Sequence, residues 1–152
     1  MLLVAQAIDI RMAWMIKNDW LRGPAGMVLR RMGAVGIDRS RRTNLVQQMV
    51  DEFARHDDFV LVIPPEGTRS RAEHWKSGFY NIAVGAGVPV VPGFMDYGRK
   101  RVGLGAPIAM TGDVRVDMDA IRHFYDDKDP IGFHPELVGP IALRAETDSS
   151  AE

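Results

Sequence analysis

The hydrophobic and polar positions divide the chain into short apolar runs and longer segments with helical spacing. Continuous apolar runs at residues 59–63 and 88–94 predict strands that are buried on both faces. Four shorter runs predict further strands, at residues 11–17, 35–38, 100–102 and 107–110.

Two well-delimited helices are predicted between these strands. Apolar residues recur at helical spacing over residues 43–55, where Thr43 is placed to cap the free amides of the first turn. Ser77 is predicted to cap the next helix, which Gly87 ends.

The remaining helical segments lie nearer the two ends of the sequence. A short helix is predicted between Pro24 and Gly33, and a last helix is predicted to begin at Asp117 or Asp119. Residues 1–7 have neither a cap nor a turn before them, so they have the pattern of the later turns of a helix.

Alternating strands and helices are typical of the α/β class. We expect a single domain over residues 1–144, with a mixed, mostly parallel sheet flanked by helices, and a polar tail at residues 145–152. In such sheets ligands gather beyond the carboxyl ends of the strands.

Composition limits the classes of function. The 152 residues are 46% hydrophobic and 26% charged, as in an ordinary globular protein. A net charge of −1 gives no global attraction to nucleic acid, so an anion site must be local. The sequence has no cysteine, which excludes thiolate nucleophiles, and its apolar start meets Asp9 and Arg11 too early for a membrane span.

The segment FVLVIPPEGTRSR carries the clearest chemistry, because an apolar run there delivers polar residues at its carboxyl end. Gly67 permits a tight turn, Thr68 and Ser70 offer hydroxyls and amides, and the Arg69 fork matches two phosphate oxygens. Glu66 is placed to orient that fork. Taken alone, the segment suits an ordinary surface turn with a salt bridge equally well.

Four blocks in order resemble the 1-acyl-glycerol-3-phosphate acyltransferase family. PPEGTRS resembles the family's Pro-Glu-Gly-Thr-Arg-Ser block, and KNDWLRGPAGMVLRRMGAVGIDRS resembles the block before it. WKSGFYNIAVGAG and VPVVPGF resemble two blocks that follow. Together these blocks cover residues 11–96, and their ordered agreement is more specific than any single motif.

The resemblance implies that Arg69 and Arg39 bind the phosphate of the acceptor, while Glu66 and Gly67 shape the same site. From the residues alone, Arg39 and Lys76 would suit solvated surface charges. The predicted phosphate-binding residues are Arg39, Glu66, Gly67, Thr68, Arg69, Ser70 and Lys76.

The family's catalytic block is His-x-x-x-x-Asp, in which the histidine removes a proton and the aspartate orients the ring. No histidine of this sequence has aspartate at the fifth following position, so no catalytic residue is assigned. His123 and Asp127 lie one position too close and are expected to form a surface pair. We expect a chain that begins inside the family's domain, without this block, and is inactive alone.

The resemblance implies acyl transfer in phospholipid biosynthesis, without a metal or redox cofactor. The donor would be acyl-CoA or an acyl carrier protein, and the acceptor a phosphorylated glycerol or lysophospholipid. It also implies a membrane surface as a partner and no nucleic acid. The protein would be located at the cytoplasmic face of the membrane or in the cytoplasm. The alternative is a non-catalytic paralogue that binds anions or lipid, whereas no phosphate-loop or dinucleotide motif supports a nucleotide-binding domain.

Overall fold

The computed structural model describes residues 12–31, 33–37, 42–68, 70–144 and 146. The chain divides into two compact units, Met1–Pro64 and Pro65–Glu152. The predicted helix at residues 1–7 lies outside the described residues, as does the predicted polar tail apart from Glu146.

The first unit contains a three-stranded parallel sheet. Its strands are β1 (Met12–Lys17), β2 (Ala34–Ile37) and β3 (Val60–Val62), and β1 lies in the centre with a partner on each side. The helical elements are a 3-10 turn (Asn18–Leu21), α1 (Gly23–Arg31) and α2 (Arg42–Arg55).

The helical spacing of α2 places one apolar face inward, since Met49 is buried and Phe53 packs edge to face on Phe59 with ring centroids 4.8 Å apart. The helix begins one residue earlier than predicted, so Thr43 is a helical residue rather than the cap. Val60 is 40% exposed, so the prediction of a strand buried on both faces is wrong at residues 59–63.

The second unit contains α3 (Gly78–Ala86), α4 (Val114–Lys128) and a two-stranded antiparallel sheet of β4 (Gly93–Asp96) and β5 (Arg101–Leu104). A 3-10 turn, Pro135–Leu137, follows α4. The buried core consists of Trp75, Tyr80, Met118, Ile121 and Leu143. It therefore combines a loop residue, both helices and the end of the described chain.

The α/β class is confirmed, but the described strands form two sheets instead of the single mixed sheet that the pattern predicts. The run at residues 88–94 becomes a strand only from Gly93, and residues 107–110 contribute a single bridge, between Ile108 and Val90. Apolar runs mark segments that can enter a sheet, whereas the partner of each strand depends on distant residues.

The predicted bounds of α3 are confirmed, whereas the predicted start of the last helix is wrong. Ser77 is the N-cap residue of α3 but makes no side-chain capping bond, and Gly87 ends the helix in the left-handed conformation. Helix α4 begins at Val114 because the Asp113 carboxylate accepts from the amides of Arg115 (2.9 Å) and Val116 (3.3 Å).

Asp117, which the sequence suggests as a helix start, is instead a buried carboxylate of the first turn of α4. It is 1% exposed and accepts from the Thr111 hydroxyl (2.8 Å), the Gly112 amide (3.1 Å) and the Tyr80 hydroxyl (3.0 Å). The Thr111 amide donates to it as well, at 2.9 Å. We call this arrangement the Asp117 site.

Candidate functional site

The PPEGTRS segment forms a closed loop from Pro65 to Lys76, the 65–76 loop. Its ends meet because the Lys76 amide donates to the Pro65 carbonyl at 2.8 Å. Gly67 has φ +63°, and a side chain there would start 3.1 Å from the Lys76 Cγ. Glycine is therefore favoured both by the backbone conformation and by the close approach of the Lys76 side chain.

Near the end of the 65–76 loop, Trp75 packs into the buried core of the second unit. Trp75 is buried and packs edge to face on Phe79 and Tyr125, with ring centroids 6.0 and 5.9 Å away. The Trp75 amide donates to the Ala142 carbonyl at 2.7 Å, within a parallel bridge between Trp75 and Leu143. A loop without helix or strand is thus fixed by backbone and aromatic contacts.

An open groove of about 400 Å³ lies against this loop. Four of the predicted phosphate-binding residues line it, namely Glu66, Gly67, Thr68 and Lys76. Ser70 is exposed and does not line the groove; its amide donates to the Thr68 hydroxyl at 3.2 Å. We call this cavity the loop groove.

The two arginines that the resemblance implicates most strongly, Arg39 and Arg69, lie outside the described residues. Their role in phosphate binding stays a prediction. The described residues place other basic groups at the loop groove, and sequence reasoning missed two of them.

Arg71, Lys76 and Arg144 supply three cationic side chains to the loop groove, and Glu66 and Glu73 supply two carboxylates. No described residue forms a salt bridge with Arg71 or Lys76 within 4 Å. Guanidinium and ammonium groups that face an open cavity suit an anion such as phosphate.

Tyr125, a residue of the helix α4, packs against Trp75 at the end of the 65–76 loop. Burial, together with the negative charge of Glu66, raises the pKa of the Tyr125 hydroxyl above its ordinary value. That hydroxyl donates to the Gly93 carbonyl at 2.9 Å. The carboxylate of Glu66 is therefore close enough to Tyr125 for its charge to act on the Tyr125 hydroxyl.

Arg144 could not be found from a local motif, because it is far from the 65–76 loop in the sequence. The bridge between Trp75 and Leu143 brings it to the loop groove. Arg71 directly follows the Glu-Gly-Thr-Arg-Ser block in the sequence. This adjacency was the one signal that could have identified it as a groove residue.

Only one of the four histidines lines the loop groove, and it is the half-buried His74. His56 and His134 are exposed beside Glu52 (3.6 Å) and Glu136 (3.1 Å). Among the described residues, no group of three or more His, Asp or Glu side chains is arranged to hold a metal ion.

His123 and Asp127 are both exposed on α4, as expected of a surface pair. A hydrogen bond from Lys128 is the main cause that lowers the pKa of Asp127, and the charge of His123 contributes less. This pair therefore lacks the buried, oriented geometry of a catalytic dyad.

The comparison with protein families gives one match, in which the model described as Acyltransferase matches residues 1–96. That segment contains the whole 65–76 loop but does not reach Arg144. No curated protein and no solved structure matches the chain. Within the described part of the chain, no helix combines the length and the apolar character needed to cross a membrane.

Proposed function

The chain belongs to the acyltransferase family, and we propose that its site serves the transfer of an acyl group from a thioester to a phosphorylated glycerol acceptor such as lysophosphatidic acid. The donor is acyl-CoA or an acyl carrier protein. The observation that carries the proposal is the loop groove, which Arg71, Lys76 and Arg144 line together with Glu66, Gly67 and Thr68.

In this proposal the chain's own residues bind and orient the acceptor. Lys76 and the loop arginine Arg69, together with Arg39, attract the acceptor phosphate, and Thr68 offers a hydroxyl to it. Binding of the phosphate would hold the acceptor hydroxyl in line with the thioester carbonyl, which removes much of the entropic cost of the reaction. Gly67 contributes because its positive φ and its missing side chain let the backbone pass close to Lys76.

The chemical step needs a general base. The acceptor oxygen bonds to the thioester carbon as its proton passes to the base, and the carbon–sulfur bond then breaks to release the thiol. The sequence contains no His-x-x-x-x-Asp, so we propose that these 152 residues bind the acceptor without turning it over. The acceptor is an amphiphile, and we therefore propose peripheral action in phospholipid synthesis at the cytoplasmic face of a membrane.

Binding is tested by calorimetric titration of glycerol 3-phosphate. Arg69→Ala and Arg39→Ala should each weaken binding by about tenfold or more, because charge-assisted hydrogen bonds contribute roughly 1.5 to 3 kcal/mol. Arg55→Ala is the matched control, since Arg55 is exposed on α2 and pairs with Glu52. Equal, small losses in all three variants would contradict the proposed site.

A second candidate is a non-catalytic module that binds anions or lipid, and it is favoured by the groove cations and by the lack of His-x-x-x-x-Asp in these 152 residues. Thiol release from an acyl thioester in the presence of lysophosphatidic acid tests turnover. A steady rate from the 152 residues would contradict the non-catalytic module and the proposal that these residues bind the acceptor without turnover, and His74→Ala would then show whether the groove histidine acts as base. An in-frame His-x-x-x-x-Asp encoded before Met1 would favour the enzyme over the module.

A further inference from the structure

We propose that Arg144 is a ligand for phosphate in the loop groove. In the sequence, Arg144 lies beyond the segment that matches the family. Arg144 lines the groove together with Thr68, Arg71 and Lys76. The family match ends at residue 96, so neither the motif nor the match assigns it a role. The inference rests on the proposed function, because it assigns a further residue to the same acceptor site.

The backbone on both sides of Arg144 is held in place. Leu143 is 1% exposed within the core, and the Ala142 carbonyl accepts from the Trp75 amide at 2.7 Å. The Glu146 carboxylate accepts from the Leu143 amide at 2.7 Å. Arg144 therefore directly follows a buried residue whose amide and whose preceding carbonyl both have hydrogen-bond partners.

Arg122 strengthens the same segment from the helix α4. Its guanidinium donates to the Ile141 carbonyl at 3.1 Å and to Glu146 at 2.9 Å. Because a backbone that is already held in place loses little conformational entropy when a ligand binds, this segment is suited to carry an anion ligand.

The ligand chemistry follows from the groups around the groove. Arg144 and Arg71 each offer a planar fork that can donate two hydrogen bonds to phosphate oxygens, and Lys76 adds a point charge. Glu66 and Glu73 lie in the same groove and would disfavour an extended polyanion. A single phosphate monoester fits this mixture of charges best.

Two sources could supply such a monoester, the glycerol phosphate acceptor and the 3′-phosphate of CoA. Titration of the full 152-residue chain with glycerol 3-phosphate, CoA and dephospho-CoA distinguishes them. We expect Arg144→Ala to weaken glycerol 3-phosphate binding by about tenfold and Arg144→Lys to recover part of the loss, since lysine keeps the charge but not the fork. Thermal unfolding of both variants checks that each is folded under the conditions of the titration.

Arg115→Ala is the matched control, because Arg115 is an exposed arginine of the same unit that does not line the groove. If wild-type protein binds glycerol 3-phosphate and Arg144→Ala binds it as well as Arg115→Ala does, the role of Arg144 is refuted while the proposed function survives. If wild-type protein fails to bind glycerol 3-phosphate, the proposed function fails and this inference falls with it. An Arg144 effect confined to CoA would also overturn the assignment to the acceptor.

Discussion

Two places in the unit Pro65–Glu152 deal with negative charge in opposite ways. At the Asp117 site, the anion is the protein's own carboxylate, and it is enclosed by donors from Thr111, Gly112 and Tyr80. At the loop groove, cationic side chains face an open cavity. The first place holds a complete set of partners, whereas the second leaves room for an anion from outside.

The comparison separates residues that serve stability from residues that serve binding. Burial raises the pKa of Asp117, but hydrogen bonds from Thr111, Tyr80 and Gly112 lower it by more, so the pKa lies below its ordinary value. Burial and the bond to Asp117 raise the pKa of Tyr80 to about 12. Both groups therefore keep one protonation state across the neutral pH range, so the hydrogen bond between them persists and contributes to the stability of the fold.

The largest effect is expected for Asp117→Ala, which removes the acceptor of the buried Tyr80 hydroxyl and of the Thr111 and Gly112 amides. We expect the free energy of unfolding to fall by about 2 to 4 kcal/mol, because each unsatisfied buried donor costs roughly 1 to 3 kcal/mol. Urea denaturation measures the loss. The exposed control Asp126→Ala lies on the same helix and should change stability by less than about 0.5 kcal/mol.

Asp117→Ala also tests whether the residues that serve stability are separate from the residues that serve binding. Under conditions where Asp117→Ala remains folded, its affinity for glycerol 3-phosphate should equal that of the wild type. A parallel loss of affinity and stability would mean that the Asp117 site and the loop groove are coupled, and the comparison would fail.

A smaller effect is expected for Gly67→Ala, which places a side chain on a backbone with φ +63° and only 3.1 Å from the Lys76 Cγ. A left-handed residue other than glycine costs roughly 1 to 2 kcal/mol, so a lower thermal midpoint is expected together with weaker phosphate binding. Gly78→Ala is the control, since nothing lies within 4 Å of its added carbon and its φ is not positive. Equal behaviour of the two variants would show that the loop conformation does not depend on Gly67.

The smallest effect concerns Asp96, a second enclosed carboxylate. The Arg99 amide and then its guanidinium, each at 2.9 Å, lower the pKa of Asp96 from 3.8 to about 2 against the opposing effect of burial. The stabilisation is therefore complete above pH 3.8 and is lost as the pH falls through about 2. Partial exposure of Arg99 screens this pair and keeps the effect modest.

Denaturation curves recorded between pH 5 and pH 2 test this expectation. Asp96→Asn should lose less stability across that range than the wild type, because it no longer carries the titrating carboxylate. The exposed control Asp58→Asn should retain the wild-type slope. If Asp96→Asn also keeps that slope, Asp96 does not contribute to the acid dependence.

Local patterns were sufficient for several elements and for the motif of the site. Helical spacing predicted α2 to its last residue, Arg55, and Gly87 marked the end of α3. The position of Gly67 and Thr68 in one loop follows from the Pro-Glu-Gly-Thr-Arg block, and four of the seven predicted residues line one groove. These features depend on residues that are close to one another in the sequence, so their spacing can be read without the tertiary structure.

By itself, the amino-acid sequence determined the α/β class, the main helices and the acyltransferase family. Only the tertiary structure decided that Asp117 points inward to Thr111, that the strands fall into two sheets, and that Leu143 pairs with Trp75 to bring Arg144 to the loop groove. The physical reason is the range of the interactions. Propensity and capping act within a few residues, whereas burial and strand pairing join residues that no local pattern relates.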